Sequence, residues 1–396
     1  MLRDQFLLDP QIVFLNHGSF GACPRPVFER YQAWQRHLEL QPVKFLGREL
    51  DDYLYQARSE LGKYVNAPPG ELVFIPNATH GVNIIARSLQ LNPGDEILTT
   101  DQEYGACDLA WEFISKKTGA IYHREPLPLP ASSENQIVEQ FWQTVSDKTK
   151  IIFISHITSP TAITLPIQQI CQRAREAGIL TVIDGAHAPG QLALDLSALK
   201  ADFYVGNCHK WMLSPKGAGF LYARPAVQDR IEPLIVSWGY QSRSSTPRET
   251  RFVDYLQWSG THDPAAALSV PAAIEFMQEN HWEDVRRSCH SLLRDAMERI
   301  SRITGLPSLY PFDSKLYQQM GTVPIPRVKD LNELKNRLYE EYKIEIPCME
   351  WRNQHFLRLS VQGYNTSADI DRLVSALSEL LPDMIVDDNA IRPISA

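Results

Sequence analysis

The sequence predicts an α/β protein whose large domain is a doubly wound, mainly parallel sheet, followed by a smaller α+β C-terminal domain. Three observations carry that prediction. From about residue 51, helix-period segments alternate with short apolar runs, the pattern that builds a parallel sheet covered on both faces. The alternation stops at Gln241 to Arg248, a Ser- and Arg-rich stretch without periodicity that reads as an exposed loop. Beyond it come runs of helices and separate short strands, the arrangement of an α+β unit.

The elements follow in order. Asp51 to Val65 has helical spacing, Leu72 to Ile75 is a four-residue apolar strand, and Pro76 to Thr79 is a loop leading into a helix through Ile84, Ile85 and Leu89. Strands recur at Glu96–Thr100, Ile151–Ile154, Leu180–Ile183, Phe203–Gly206 and Gly219–Tyr222. Helices lie between them near 104–117, 135–146 and 166–177, the last closed by Gly178. After the loop, helices are expected at about 264–279 and 281–303, then strands near Thr322–Ile325, Ile344–Ile346 and Phe356–Val361, and a helix from about 367 to 380. No solenoid-period repeat and no low-complexity tract is present.

Composition bounds the function. The 396 residues are 44% apolar, enough for a large buried core. With 39 basic against 47 acidic side chains the net charge is −8, the wrong sign for a protein that gains affinity by neutralising phosphates, so no nucleic-acid partner is expected. Six cysteines are scattered without a C-x-x-C pair and read as reduced cytoplasmic thiols. Charge and proline interrupt the first ten residues before a signal-peptide core forms, and no run reaches the length of a membrane span, so neither export nor a membrane partner is expected.

Several motifs are missing. Gly217-Ala218-Gly219 lacks the third glycine of the dinucleotide fingerprint, and there is no Walker loop, no H-E-x-x-H and no G-x-S-x-G. No metal site is expected. What stands out is Thr181-Val182-Ile183-Asp184-Gly185-Ala186-His187, then Phe203-Tyr204-Val205-Gly206-Asn207-Cys208-His209-Lys210-Trp211. Each is an apolar strand ending in polar residues, and in open α/β sheets ligands sit at the carboxyl ends of strands. The 26 residues from Asp184 to Lys210 accommodate one parallel crossover, so acid and amine converge on one crevice. Such a pair suits either a strand-end salt bridge or a pyridoxal phosphate site, where lysine forms the Schiff base and a carboxylate keeps the pyridine nitrogen protonated. Pro76-Asn77-Ala78-Thr79-His80-Gly81, between a strand and a helix, supplies amides for an anion, although helix capping alone would use the same residues. Tyr104, after the strand ending Thr99-Thr100, could lay its ring on a flat cofactor.

With these residues in hand, the chain resembles the class V aminotransferase branch of the fold-type I pyridoxal phosphate enzymes, and within it the isopenicillin N epimerase group. The likeness runs from Phe14-Leu15-Asn16-His17-Gly18-Ser19-Phe20-Gly21 to Phe356-Leu357-Arg358-Leu359-Ser360-Val361-Gln362-Gly363-Tyr364-Asn365, nearly the whole chain. It implies pyridoxal 5′-phosphate as cofactor, a small amino-acid substrate and a homodimer. It also implies a cofactor-binding domain over 20–262, a small domain over 263–396, and an N-terminal segment, 1–19, near the active site.

Carried over by motif, the resemblance makes Lys210 the Schiff-base lysine, with Lys216 the rival six residues on, and Asp184 the partner of the ring nitrogen. It sets His187 by the ring's phenolic oxygen and Tyr104 on its face. Ala78, Thr79, Asn207 and His209 match phosphate contacts, and His80 of the same motif joins the cofactor-binding residues. Thr261 matches a threonine that reaches the phosphate of the neighbouring subunit. Arg358 matches the arginine that grips the substrate α-carboxylate through a bidentate fork, a task lysine performs poorly. Asn16 and His17 join it as substrate-binding residues, and Ser159 lines the same pocket on the cofactor side.

The reaction type implied first is epimerisation at Cα, which needs a second acid/base besides Lys210; His17 and Tyr104 are the candidates. A carbon–sulfur lyase, a cysteine desulfurase or an aminotransferase is the alternative, since one cofactor serves all of these reactions. A desulfurase of this class needs a nucleophilic cysteine before the arginine. Cys348, ten residues ahead of Arg358, lacks the usual Arg-Thr-Gly context and reads as an inert thiol.

Overall fold

The computed structural model describes residues 2–241 and 250–386, so most of the expected Ser- and Arg-rich loop lies outside the described residues. The strands are β1 (Val13–Phe14), β2 (Leu72–Ile75), β3 (Glu96–Thr100), β4 (Ile121–Glu125), β5 (Thr149–Ser155), β6 (Leu180–Gly185), β7 (Phe203–Asn207), β8 (Gly219–Ala223), β9 (Met320–Ile325), β10 (Ile344–Glu345), β11 (Cys348–Trp351) and β12 (Gln354–Ser360). The longer helices are α1 (Arg25–Leu40), α2 (Leu50–Val65), α3 (Ala78–Ser88), α4 (Gly105–Thr118), α5 (Glu134–Trp142), α6 (Ile167–Glu176), α7 (Val270–Glu279), α8 (Trp282–Thr304), α9 (Leu331–Glu340) and α10 (Ser367–Met384).

Seven strands form the large sheet in the order β2-β8-β7-β6-β5-β3-β4, in which β8 alone runs antiparallel to both of its neighbours. The α/β fold expected from the alternation is therefore present. Every residue of β7 and of β8 is buried, which is why these strands read as unbroken apolar runs instead of alternating ones. Edge strand β4 escaped the sequence reading for the opposite reason. Its residues, Ile-Tyr-His-Arg-Glu, carry charge and stay partly exposed, as edge strands do.

The C-terminal half holds an antiparallel sheet, β11-β12-β9, in which Arg358 faces Thr322 across the ladder. Strand β11 and helix α9 were not expected. The helix expected over 264–279 is two pieces, Ala265–Leu268 and α7, divided at Ser269 just before Pro271 in the first turn of α7. β10 pairs not with this sheet but in parallel with β1, so the N-terminal segment is stitched into the C-terminal half. One continuous apolar cluster joins Leu15, Ile183, Met212, Val323 and Leu359, which draws both sheets and the N-terminal segment onto one core. Among the described residues no helix is long and apolar enough to cross a membrane.

Candidate active site

Strands β6 and β7 are parallel neighbours, so their carboxyl ends open on the same crevice. Asp184 sits at one end, where Gly185 is obligatory because an added Cβ would lie 2.1 Å from the Tyr204 ring. Its buried carboxylate accepts from the Ala186 amide at 2.9 Å. Burial raises its pKa, and the Ala186 N–H, the Lys210 charge and the Cys107 thiol offset part of the rise.

Lys210 lies in the turn after β7. Burial lowers its amine to about 8, and Asp184 opposes that shift by attraction, although the two form no ion pair. Its Nζ is 3.1 Å from His187 Nε2. The Trp211 indole donates to His187 Nδ1 at 3.3 Å, which puts the proton of the neutral imidazole on Nε2. His187 is thus a donor aimed at an acceptor: a neutral Lys210 amine, or an anionic oxygen placed between them. The rival Lys216 is committed elsewhere, its Nζ donating to the Gly21 carbonyl at 3.0 Å. Gly21 itself has φ +71° and packs where a Cβ would come within 2.1 Å of the His209 carbonyl, pinning the N-terminal segment against the Lys210 turn.

The amino end of α3 faces the same crevice. Asn77 caps it by accepting from the His80 amide at 2.9 Å, and Asn207 accepts from the Ala78 amide at 2.8 Å. The helix therefore begins two residues earlier than the expected loop would allow, and the Thr79 amide is left free of protein partners to meet an anion. His209, in the turn after β7, donates from Nδ1 to the Ala218 carbonyl at 2.9 Å. Tyr104 precedes α4 and is 48% exposed. Next to it, Glu103 is buried and accepts from Thr100 and from Ser155 Oγ, each at 2.6 Å. Burial, with a contribution from Asp184, pushes Glu103 up to about 8. Thr261 lies on an exposed bend, and no hydrogen bond joins it to the crevice residues.

The third group gathers around Arg358 on β12. Nη1 donates to the Ser159 carbonyl at 2.7 Å and to Ser159 Oγ at 3.1 Å, and Nη2 to Ser19 Oγ at 3.2 Å. Nε is buried without a partner, and no carboxylate pairs with the guanidinium. Burial lowers its pKa to about 10, which still leaves it charged at neutral pH. A buried guanidinium with an open donor edge is a site for an anion. Asn16 stands behind Ser19, and both ends of its amide are occupied. His17 is fully buried, with Nδ1 3.0 Å from the Tyr364 hydroxyl and Nε2 3.1 Å from the Lys210 carbonyl.

Sequence reading missed Ser19, Glu103, Trp211 and Glu345. Ser19 and Trp211 adjoin expected residues within the quoted motifs, whereas Glu345 enters only through the pairing of β1 with β10.

The sequence model of the family described as Aminotransferase class-V matches residues 15–373. The chain belongs to that family. It is 36% identical over 388 residues to an isopenicillin N epimerase of Amycolatopsis lactamdurans, covering 96% of this chain and 97% of that one. It is 26% identical over 408 residues to a probable chloroplastic L-cysteine desulfhydrase of Arabidopsis thaliana, covering 95% and 84%. The fold superposes on the apo cysteine desulfurase of Thermococcus onnurineus NA1 with TM-score 0.81 at 18% identity, over 97% and 98% of the chains. The cofactor of this class V enzyme is pyridoxal 5′-phosphate. The crevice fits it: a buried amine of lowered pKa, a buried carboxylate facing it without an ion pair, an imidazole N–H beside the amine, and a free amide at the start of α3.

Proposed function

We propose that the protein is an epimerase acting at the Cα of an amino acid or of an amino-acid-containing peptide, like the isopenicillin N epimerases it resembles. The joining, in one crevice, of the Lys210–Asp184 pair and the unpaired guanidinium of Arg358, whose charge repels that of Lys210, carries the reading of chemistry at the Cα of an amino acid, and the 36% identity to the isopenicillin N epimerase favours epimerisation within it. Arg358 binds the α-carboxylate through its open edge. Asp184 would hold a positive charge at the ring nitrogen, and the free amide of Thr79 would meet the phosphate with the side chains of His80, Asn207 and His209; Ala78, expected as a phosphate contact, has its amide taken by Asn207. When bound, the cofactor draws electron density from the substrate Cα and makes its proton removable. Lys210, with its amine near 8, takes that proton on one face.

Inversion needs a second acid/base on the opposite face. His17 is a poor candidate: the 3.1 Å contact to the Lys210 carbonyl commits Nε2 as donor, Nδ1 is left to accept from Tyr364, and burial lowers the ring to about 3. Tyr104, half exposed at the head of α4, is the stronger one. Desulfuration through a cysteine nucleophile is disfavoured, since Cys348 lies in β11 and burial pushes its thiol up to about 12. Carbon–sulfur lysis without such a nucleophile is the second reading, favoured by the desulfhydrase relatives. Incubation with a panel of amino acids in deuterated water decides between them. Deuterium at Cα with inversion supports epimerisation; sulfide with pyruvate, or a keto acid accompanied by aminated cofactor, overturns it.

A homodimer is part of the proposal. Ile235, Val236, Trp238 and Tyr240 are 52%, 67%, 86% and 51% exposed in one short segment, a surface suited to cover by a second copy that could bring its own Thr261 to the phosphate. The mass in solution tests it. The six free cysteines, four of them buried, suit the reducing cytoplasm.

A further inference from the structure

Arg358 is held by a relay of neutral groups that ends on a carboxylate. Its Nη2 donates to Ser19 Oγ at 3.2 Å, and the Ser19 hydroxyl donates to Asn16 Oδ1 at 2.6 Å. The Asn16 amide then donates through Nδ2 to Glu345 Oε1 at 2.9 Å. Every donor points from Arg358 towards Glu345, and the directions are fixed. Because Asn16 must present its NH2 to an acceptor-only carboxylate, Oδ1 can only accept; because Ser19 gives its one proton to that oxygen, its lone pairs face the guanidinium. The segment carrying Ser19 is held from both sides, by the parallel pairing of β1 with β10 and by the bond from the Ser360 amide to the Leu15 carbonyl.

The relay also decides which edge of the guanidinium stays open. Nη1 is engaged by two acceptors of Ser159, and Nη2 by Ser19. Nε–H remains buried and unpaired, and Nη2 makes one protein contact for its two hydrogens. Nε and Nη2 form one side of the planar fork, the side on which a carboxylate can meet both nitrogens.

We propose that Ser19 is a positioning residue for carboxylate recognition, acting with Asn16 and Glu345 to present the Nε–Nη2 edge of Arg358 to the substrate. This rests on the reading of Arg358 as the carboxylate site. The relay keeps its anion, the Glu345 carboxylate, one hydroxyl and one amide away from Arg358, so the guanidinium is oriented without direct pairing. A carboxylate in direct contact would compete with the substrate for the same edge.

The test compares binding of L-alanine and of L-alaninamide to the holoenzyme by calorimetry. The two share the amine and the size and differ in the carboxylate. Ser19→Ala should lose about tenfold in affinity for alanine, the scale of one hydrogen bond to a charged group, and little for the amide. Asn16→Leu should do the same, and the double variant should lose no more than either single one, because groups acting in series are not additive. A merely structural role would lower both affinities together, and independent roles would add; either result overturns the relay. Arg358→Lys separates this from the underlying reading. If Arg358→Lys weakens alanine and alaninamide equally, the carboxylate assignment itself falls. If it weakens alanine selectively while Ser19→Ala leaves alanine binding unchanged, only the relay falls.

Discussion

Replacing Arg358 with lysine keeps the charge and removes the fork, which isolates geometry from electrostatics. In the wild type three donor contacts to Ser159 and Ser19 hold the guanidinium while Nε and one Nη2 hydrogen stay open. An ammonium offers one bond to a carboxylate where the fork offers two, and it loses the planar anchoring on Ser159. A charge-assisted hydrogen bond is worth about 1.5–3 kcal/mol, so kcat/KM for an α-amino acid should fall roughly ten- to a hundredfold. Steady-state kinetics on matched acid and carboxylate-free amine substrates measure it. The amine should be a poor substrate for the parent and should lose little further in the variant. Equal losses for acid and amine would mean that Arg358 only supports the fold of β12, and the carboxylate assignment would be refuted.

Borohydride reduction of the yellow holoenzyme should fix the cofactor's mass on the peptide holding Lys210; a label on Lys216 would contradict the commitment of that side chain to Gly21. Asp184→Ala should slow exchange of the substrate Cα hydrogen far more than it weakens cofactor retention, because the free amide at Thr79 and the rest of the phosphate cradle survive; exchange at the parent's rate would refute the carboxylate's role. In cofactor-free protein, modification of Lys210 by an amine-specific reagent should rise with pH around a midpoint near 8. The sign follows from burial, which favours the neutral amine and moves deprotonation below the ordinary 10.5; a midpoint at that ordinary value would mean the amine is solvated.

Much of the cofactor side was legible in the sequence because it is local. Asp184 lies near the end of the largely apolar β6 and Lys210 in the turn after the buried β7, and the capping turn of Asn77 to His80 sits between a strand and a helix, so composition and spacing set them in the fold. Strand β4, with charge at an exposed edge, and β11, in a tight hairpin turned by Arg352 and Asn353 at positive φ, carry no such signal. The substrate side was less legible because it is not local. Ser19 meets Arg358 across 339 positions and Asn16 meets Glu345 across 329, contacts that no periodicity announces. Asn16 and His17 were expected to touch substrate. The structure finds the amide of one and the imidazole of the other already bonded within the protein.

That difference bears on the reaction. Removal of the Cα proton by Lys210 is shared by epimerases, lyases and aminotransferases, so the groups that distinguish them must stand elsewhere in the crevice. The surroundings of Lys210 favour its neutral form over that of an ordinary lysine: burial and the repulsion of Arg358 bring the amine down to about 8, and the His187 tautomer beside it is a donor. With His17 locked under the Lys210 carbonyl and Cys348 held as a thiol, Tyr104 is the remaining candidate of the two named for the second acid/base, and it is 48% exposed. Tyr104→Phe preserves the ring and removes only the hydroxyl. If the phenol delivers the proton on the second face, this variant should still exchange Cα deuterium through Lys210 yet return it with retention, losing inversion by roughly the 10²–10⁴-fold typical of a general acid. Unchanged inversion by Tyr104→Phe would remove the phenol from the mechanism and leave the second face to another acid/base.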